Sequence, residues 1–125
     1  MSERVYALTV KPYLFIGKKP VAVIVENEHI AVKTWREVYV QILTYCNQDT
    51  RYHERLLYLR GRVLGKVRVL LSDKPDGMTR PHKIDDALYC EVHYGSQTLM
   101  YILVNRILAP LGFDCSSVKV VVKTK

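Results

Sequence analysis

The sequence predicts an α+β fold: one domain over residues 1–125, in which two to three helices pack on a mostly antiparallel sheet. Three observations predict it. Two β-branched runs flank a short polar tip, a strongly amphipathic helix follows, and the later part of the chain reads as strand, helix, strand. A composition of 49% hydrophobic and 25% charged residues is typical of a globular domain.

The first part of the chain predicts extended structure and a hairpin. Arg4–Ile16 alternates in the manner of a strand, and Pro12 opposes a helix there. Farther on, Val21–Val25 and His29–Val32 flank Glu26–Glu28. Two β-branched runs around an Asn-centred tip predict a β-hairpin.

The clearest local pattern opens a helix at Thr34. Thr34 and Glu37 have the spacing of a capping box, in which each side chain satisfies a backbone N–H of the other residue. The apolar residues that follow recur at helical spacing and predict one face directed at the core. They are Trp35, Val38, Tyr39, Ile42, Leu43 and Cys46.

A second helix and a basic strand are expected next. Asp49 or Thr50 can cap the helix, and Gly61 is placed to end it. From Gly65 to Leu71, basic residues alternate with valine, which predicts a strand with a basic face. Ser72–Ala87 is then expected to form a long loop, since it contains two prolines and a glycine.

The last part predicts a strand, a buried helix and a final strand. Leu88–His93 reads as a strand, and Ser96 is the expected cap of the helix after it. Because Leu99–Leu111 is apolar on nearly all sides, we expect this helix to be buried on two sides, one of them in a homodimer. Lysines in the run Val118–Lys123 indicate a protected edge strand.

Several classes of protein are disfavoured by composition. The longest apolar runs are far shorter than the ~20 residues that span a bilayer. The first residues lack the pattern of a secretory signal, so we expect a cytoplasmic protein with no membrane association. Three cysteines without C-x-x-C spacing argue against a disulfide framework and a zinc ribbon and favour reduced thiols, with Cys46 in the core. No Gly-rich phosphate loop or dinucleotide fingerprint occurs, and we expect no cofactor.

The stretch Arg51–Arg68 indicates a nucleic-acid partner. It holds six of the nineteen Lys and Arg residues and one acid, Glu54, in a chain of net charge +7. We expect phosphate contacts here and in the following loop, with Tyr52 or Tyr58 stacking on an unpaired base. Arg60 and Arg62, around Gly61, are suited to clamping a phosphate. The predicted contact residues are Arg55, Arg60, Arg62, Lys66, Arg68, Arg80, His82 and Lys83.

Two other interpretations of this stretch stay open. The same charges would dock an inhibitor or adaptor on an acidic groove of a nucleic-acid enzyme, which makes an acidic protein the alternative partner. In a purely structural interpretation, the arginines form a solvated face and the tyrosines belong to the core.

The sequence predicts no catalytic residue and no metal site. Asp76 and Glu91 have the spacing of a metal-dependent nuclease, but His93 stands where that chemistry needs a lysine, and Asp76-Gly77 is equally an ordinary turn. Cys90 and His93, three apart on a strand, point to opposite faces, which opposes a shared zinc ion with Cys46 or Cys115.

Four segments together resemble a small bacterial domain of unsettled function that is often appended to restriction-type and other defence-associated proteins. They are Thr34–Val38, Leu59–Arg62, Ser72–Ile84 and Leu88–Ser96. The usual Glu-Thr-Asn of that domain is Glu91-Val92-His93 in this chain. The resemblance implies an accessory module in nucleic-acid-directed defence or mobile-element biology, and it implies no reaction.

Overall fold

The computed structural model describes residues 3–65 and 68–124, with Thr124 described in its backbone only. The chain divides into two compact units: a terminal unit, Met1–Ile42 with Tyr94–Lys125, and a central unit, Leu43–His93. Helices accompany antiparallel sheets, so the predicted α+β class is confirmed. The expectation of one domain over residues 1–125 stays a prediction.

The elements follow one another in a mixed order. They are β1 (Glu3–Ala7), a 3-10 helix (Pro12–Phe15), β2 (Lys18–Val25), β3 (Glu28–Ala31), α1 (Trp35–Gln48), α2 (His53–Tyr58), β4 (Leu71–Ser72), β5 (Pro81–Asp85), β6 (Leu88–Glu91), α3 (Ser96–Tyr101), a π-helical segment (Ile102–Leu108), α4 (Ala109–Leu111), a 3-10 helix (Cys115–Ser117) and β7 (Val118–Thr124).

The terminal unit contains a four-stranded antiparallel sheet with the strand order β1-β7-β2-β3. The predicted hairpin is confirmed: β2 and β3 pair from Val25↔Glu28 onwards, around a two-residue turn. Glu26 and Asn27 in this turn both have positive φ, 47° and 73°. Such a turn matches the twist of the flanking strands.

Two predictions about the strands of the terminal unit were wrong. Extended structure stops at Ala7, and a 3-10 helix begins at Pro12, because the fixed φ of proline suits the first turn of a helix. Val118–Thr124 is not an edge strand, since β7 pairs with both β1 and β2. Its lysines alternate with buried valines, so they mark the solvent-facing side of a central strand.

Helix α1 has one of the two hydrogen bonds of the predicted capping box, and its predicted stripe is buried except at Trp35, which is half-buried. The Glu37 backbone N–H donates to the Thr34 hydroxyl oxygen at 3.1 Å. This bond satisfies one of the N–H groups that a helix start leaves without an intrahelical partner. The stripe is buried as expected at Val38, Tyr39, Ile42, Leu43 and Cys46.

The apolar stretch near residue 100 forms one continuous helical run over residues 96–111, with the π-helical segment in its middle. Gly95 occupies the cap position that was expected for Ser96. The run ends at Gly112, whose φ is 74°. Within the chain itself this run buries Leu99, Met100, Ile102, Leu103, Ile107, Leu108 and Leu111. The homodimer through this helix stays a prediction.

The central unit contains a three-stranded antiparallel sheet with the order β4-β6-β5. The predicted long loop is therefore too long, because Pro81–Asp85 within it pairs with β6. Pro81 is tolerated as the first residue of an edge strand.

The strand predicted from Gly65 to Leu71 was also wrong. Leu64 and Val69 form an isolated bridge, and the Gly65 N–H donates to the Arg68 carbonyl at 2.7 Å. Residues 66 and 67 of the predicted strand lie outside the described residues, and regular strand structure begins at Leu71.

Among the helices of residues 3–65 and 68–124, none has the combination of length and apolar character needed to cross a membrane.

Candidate nucleic-acid interface

The predicted contact point lies where α2 gives way to a turn. Helix α2 ends at Tyr58, and Gly61 then adopts a φ of 73°, which residues with a side chain rarely adopt. The Gly61 N–H donates to the carbonyl of Leu71 at 2.7 Å. This hydrogen bond fixes the turn beside the outer edge of β4.

An open depression of about 380 Å³ lies at this turn. It is lined by Leu57, Tyr58, Arg60, Gly61, Arg62, Ser72 and Asp73. The depression thus combines an aromatic ring, two guanidinium groups and a hydroxyl, together with one carboxylate. Except for that carboxylate, these are the groups that contact nucleic acid.

Tyr58 and Arg62 form a stacked pair at the depression. The Tyr58 side chain is among the most exposed large hydrophobic groups, with 66% of its surface accessible. The guanidinium carbon of Arg62 lies 4.2 Å from the centroid of the tyrosine ring. A cation at this distance is attracted by the ring and held in a defined position. The pair is a flat, positively charged platform on the surface.

Arg60 is engaged within the unit. Its Nε donates to the carbonyl of Leu57 and its Nη1 to the carbonyl of Ala87, both at 2.9 Å. Arg60 thereby ties the end of α2 to the turn between β5 and β6. The two arginines around Gly61 therefore have different partners. Arg62 contacts the exposed Tyr58 ring, whereas Arg60 donates hydrogen bonds to backbone carbonyls within the central unit.

Arg68 is likewise engaged by a carboxylate. Its Nη1 lies 3.0 Å from Oε1 of Glu91, a residue with 1% of its surface accessible. Glu91 also accepts backbone N–H bonds from Thr79 and Arg80, both at 2.7 Å. Burial alone raises the pKa of Glu91, but these two N–H groups and the Arg68 guanidinium outweigh it and hold the pKa below its ordinary range.

The nuclease alternative loses its second acid to this arrangement. Both carboxylate oxygens of Glu91 already accept hydrogen bonds, and Asp76 lies in an exposed turn before Gly77, whose φ is 80°. Within the described part of the chain, no group of three or more His, Cys, Asp or Glu residues is arranged to hold a metal ion. Glu91 is therefore best understood as a structural carboxylate.

The basic residues after Gly77 lie at the far edge of the small sheet. Arg80 and His82 are exposed, and Lys83 forms a surface ion pair with Asp86 at 2.8 Å. This carboxylate raises the pKa of Lys83. Strands β6 and β4 lie between β5 and the Gly61 turn. The separation is therefore three strand spacings, or roughly 14 Å. The predicted cluster is therefore split between two edges.

The remaining predicted residues are dispersed. Arg55 is exposed on α2, and Lys66 lies outside the described residues. Tyr52 is half-buried, with the Arg51 guanidinium carbon 5.0 Å from its ring centroid. Of the two tyrosines expected to stack on a base, only Tyr58 is widely exposed.

A polar network that sequence patterns did not predict supports this unit. The buried Asn47 donates from Nδ2 to Oδ2 of Asp85 at 2.6 Å, and its backbone carbonyl lies 2.7 Å from Nδ1 of His53. The Asn47 hydrogen bond is the main cause of a lowered pKa at Asp85. Since Asp85 lies 38 residues from Asn47 in sequence, no local pattern identifies the network.

The distribution of charge between the units was also not predicted. The central unit carries nine Lys and Arg residues against seven Asp and Glu residues, a net charge of +2. The terminal unit carries ten against five, a net charge of +5. Most of the positive charge thus lies outside the unit with the predicted site.

Comparison with known proteins yields no relative: no family model, no curated protein and no solved structure matches this chain.

Proposed function

We propose that the central unit is a non-enzymatic module that binds single-stranded nucleic acid at the Tyr58–Arg62 platform. The observation that carries the proposal is the 4.2 Å stack of Arg62 on the exposed Tyr58 ring beside an open depression. Proteins that bind single strands combine exposed aromatic rings with positive charge along the backbone path.

The platform provides both interactions at one place. An unpaired base has a flat face that fits the outer face of the guanidinium or the open part of the ring. The guanidinium of Arg62 also has N–H groups that can donate to a phosphate. Asp73 on the rim repels phosphate, so we expect the backbone to pass on the Arg62 side.

A second contact region extends the path. Arg80 and His82 lie at the opposite edge of the small sheet, roughly 14 Å from the Gly61 turn. A single strand of several nucleotides that crosses the sheet would reach both edges. This arrangement favours a chain-like ligand over a single phosphate group.

The test is a titration of labelled single-stranded DNA, single-stranded RNA and duplex DNA at several salt concentrations. We expect single strands to bind more tightly than duplex, and log K to fall with log[salt] by about 0.7 per phosphate contacted. Binding to duplex alone, or no binding at low salt, would contradict the proposal.

Two variants locate the site. Tyr58→Ala removes the ring and should weaken single-strand binding about tenfold, because stacking on an aromatic ring contributes ~1–3 kcal/mol per base. Arg62→Glu should weaken it further and reduce the salt dependence. Lys11→Glu makes the same charge change at an exposed residue that does not line the depression, and we therefore expect a smaller effect. Equal loss in Lys11→Glu and Arg62→Glu would mean that the binding is not local.

The setting of this function belongs to the same proposal. It includes a cytoplasmic location and a role in bacterial defence or mobile-element biology, the latter suggested by the resemblance of the four segments. The alternative partner at the Arg62 surface is an acidic protein. It would be favoured if a purified nucleic-acid enzyme with an acidic groove bound this surface after nuclease treatment and Arg62→Glu abolished that binding.

A further inference from the structure

One face of the sheet in the terminal unit is open to solvent. Residues paired directly across antiparallel strands lie on the same face, so the register defines three rows. One outer row consists of Glu3, Lys123 and Lys19. The other outer row consists of Ala7, Lys119, Ile24 and His29. The middle row is Val5, Val121, Ala22, Ala31. We call these eleven residues the open sheet face.

The two faces of this sheet differ sharply in burial. On the opposite face, the alternating residues of β7 and β2 are fully buried, among them Val118, Val120, Val122, Val23 and Val25. Every residue of the open sheet face is exposed or half-buried, and Val5 has 56% of its surface accessible. The sheet therefore uses one face for its core and presents the other to a partner or to water.

The open sheet face is apolar in the middle and basic at its margins. The middle row holds only valine and alanine across all four strands, and Ile24 and Ala7 extend it on one side. Three lysines lie in the outer rows against one acid, Glu3. Single exposed apolar residues are ordinary, but a contiguous apolar patch with a charged rim marks an interaction surface.

The chemistry of this face selects among occupants. It carries no phenylalanine, tyrosine or tryptophan and no arginine, and its one imidazole, His29, lies in an outer row, so it offers no large stacking platform and no bidentate guanidinium contact for nucleic acid. A second copy of the same face would bring an excess of lysine against lysine, which costs free energy. A partner with an apolar stripe between carboxylates matches both the middle row and the margins.

We propose that the open sheet face binds an acidic amphipathic helix of a partner protein, laid across the four strands. Helix on sheet is the common way to cover an apolar sheet face. Four strands span roughly 15–19 Å, which a helix of about 12 residues covers. Its leucine-like side chains would meet Val5, Val121 and Ala22, and its carboxylates would pair with Lys19, Lys119 and Lys123. This proposal is independent of the function proposed for the central unit.

The test uses the full chain and a designed peptide of about 12 residues, with leucine on one helical face and glutamate elsewhere. One control peptide has the same residues shuffled so that no apolar face forms, and another has lysine in place of glutamate. We expect binding of the first peptide only, with NMR amide shifts concentrated in β1, β2, β3 and β7. Equal binding of the shuffled peptide, no binding of the amphipathic acidic peptide, or shifts confined to the central unit would overturn the proposal.

Charge reversal gives a test that does not depend on the loss of binding alone. The variant Lys19→Glu with Lys119→Glu should bind the acidic peptide at least about tenfold more weakly and should now prefer the basic peptide. Lys11→Glu with Lys74→Glu changes the net charge equally at exposed positions off this face and should keep the original preference. An unchanged preference in the first variant, dimerisation through this face, or amide shifts here on adding single-stranded DNA would overturn the assignment. Far-UV circular dichroism of both double variants is the control that checks whether they are folded.

Discussion

The carboxylate of Glu91 joins three places in the central unit. It accepts from the Arg68 guanidinium, which precedes β4, and from the backbone N–H groups of Thr79 and Arg80 just before β5. All three partners are donors, so each of them favours the ionised form. The side chain therefore acts as an anchor for two segments that have little regular structure of their own.

Substitution of Glu91→Gln should destabilise the protein by about 3 kcal/mol at neutral pH, because it leaves the half-buried Arg68 guanidinium without its charge partner. A carboxylate with a lowered pKa contributes stability above its unfolded-state pKa and loses it as the pH falls through the folded-state value. The wild type should thus lose stability as the pH falls below about 4.5, the ordinary pKa of a glutamate side chain. The Glu91→Gln variant should lose less stability over the same pH range.

Urea unfolding of both proteins between pH 7 and pH 2.5 measures this difference. Parallel stability curves for the wild type and Glu91→Gln would show that Glu91 does not make the stabilising contacts described.

The thiols should differ in reactivity. Cys46 and Cys90 are fully buried, and burial, with the nearby Glu91 charge, raises the pKa of Cys90 to about 12. Cys115 is half-buried, and burial raises its pKa as well. We expect a thiol reagent to label Cys115 slowly in the native protein and to label Cys46 and Cys90 only after unfolding, since the thiolate is the reactive form. Mass spectrometry of peptides after timed labelling measures the order, and early labelling of Cys90 would contradict it.

Helix α1 begins with a local hydrogen bond between the Thr34 side chain and the Glu37 backbone. Thr34→Ala removes the oxygen that accepts from the Glu37 N–H and should cost about 1 kcal/mol of stability. Thr34→Ser keeps that oxygen and should lie within a few tenths of a kcal/mol of the wild type. Thermal or urea unfolding distinguishes the two, and equal losses would assign the effect to the lost methyl group instead.

Elements with local determinants were predictable, and those fixed by distant partners were not. The Thr34 cap and the turn at Asn27 involve neighbours in sequence, so patterns identify both. Pro81 reads as a loop residue because its role as the start of an edge strand depends on pairing with Glu91. The lysines of β7 indicated an edge because alternation reveals a solvent-facing side but not how many neighbours a strand has.

The same limit applies to the candidate site. A cluster of arginines in sequence indicates charge, but it does not show which of them are used within the fold. Arg60 and Arg68 have carbonyl or carboxylate partners 27 and 23 residues away, and such partners cannot be read from local patterns. Arg62 and Tyr58 are four residues apart, but α2 ends at Tyr58 and Gly61 has a positive φ, so the helical i, i+4 rule does not predict their stacking.

At the scale of the whole molecule, most of the net positive charge and the proposed binding platform belong to different units of the chain. The terminal unit has a net charge of +5 and the central unit +2, so attraction of a polyanion at long range comes mainly from the unit without the Tyr58–Arg62 platform. Long-range charge affects association rates more than dissociation rates. Attraction and recognition are expected to respond to different substitutions.

Replacing Lys11, Lys33 and Arg106 together by glutamine lowers the net charge from +7 to +4 without touching the central unit. At low salt we expect slower association with single-stranded DNA and a nearly unchanged dissociation rate, because the platform is intact. Stopped-flow mixing measures both rates. Faster dissociation in this variant would place binding contacts in the terminal unit.

The central position of β7 has a consequence for the order in which the protein acquires its structure during synthesis. In the sheet of the terminal unit, β1 pairs only with β7, and β7 pairs in turn with β2. The strand Glu3–Ala7 therefore leaves the ribosome before the central unit but gains its neighbour only after Val118–Thr124 has been made. The central unit is one continuous segment, Leu43–His93, and its strands β4, β5 and β6 are available before that point. We expect the central unit to assemble before β1 pairs, because β7 is made after both.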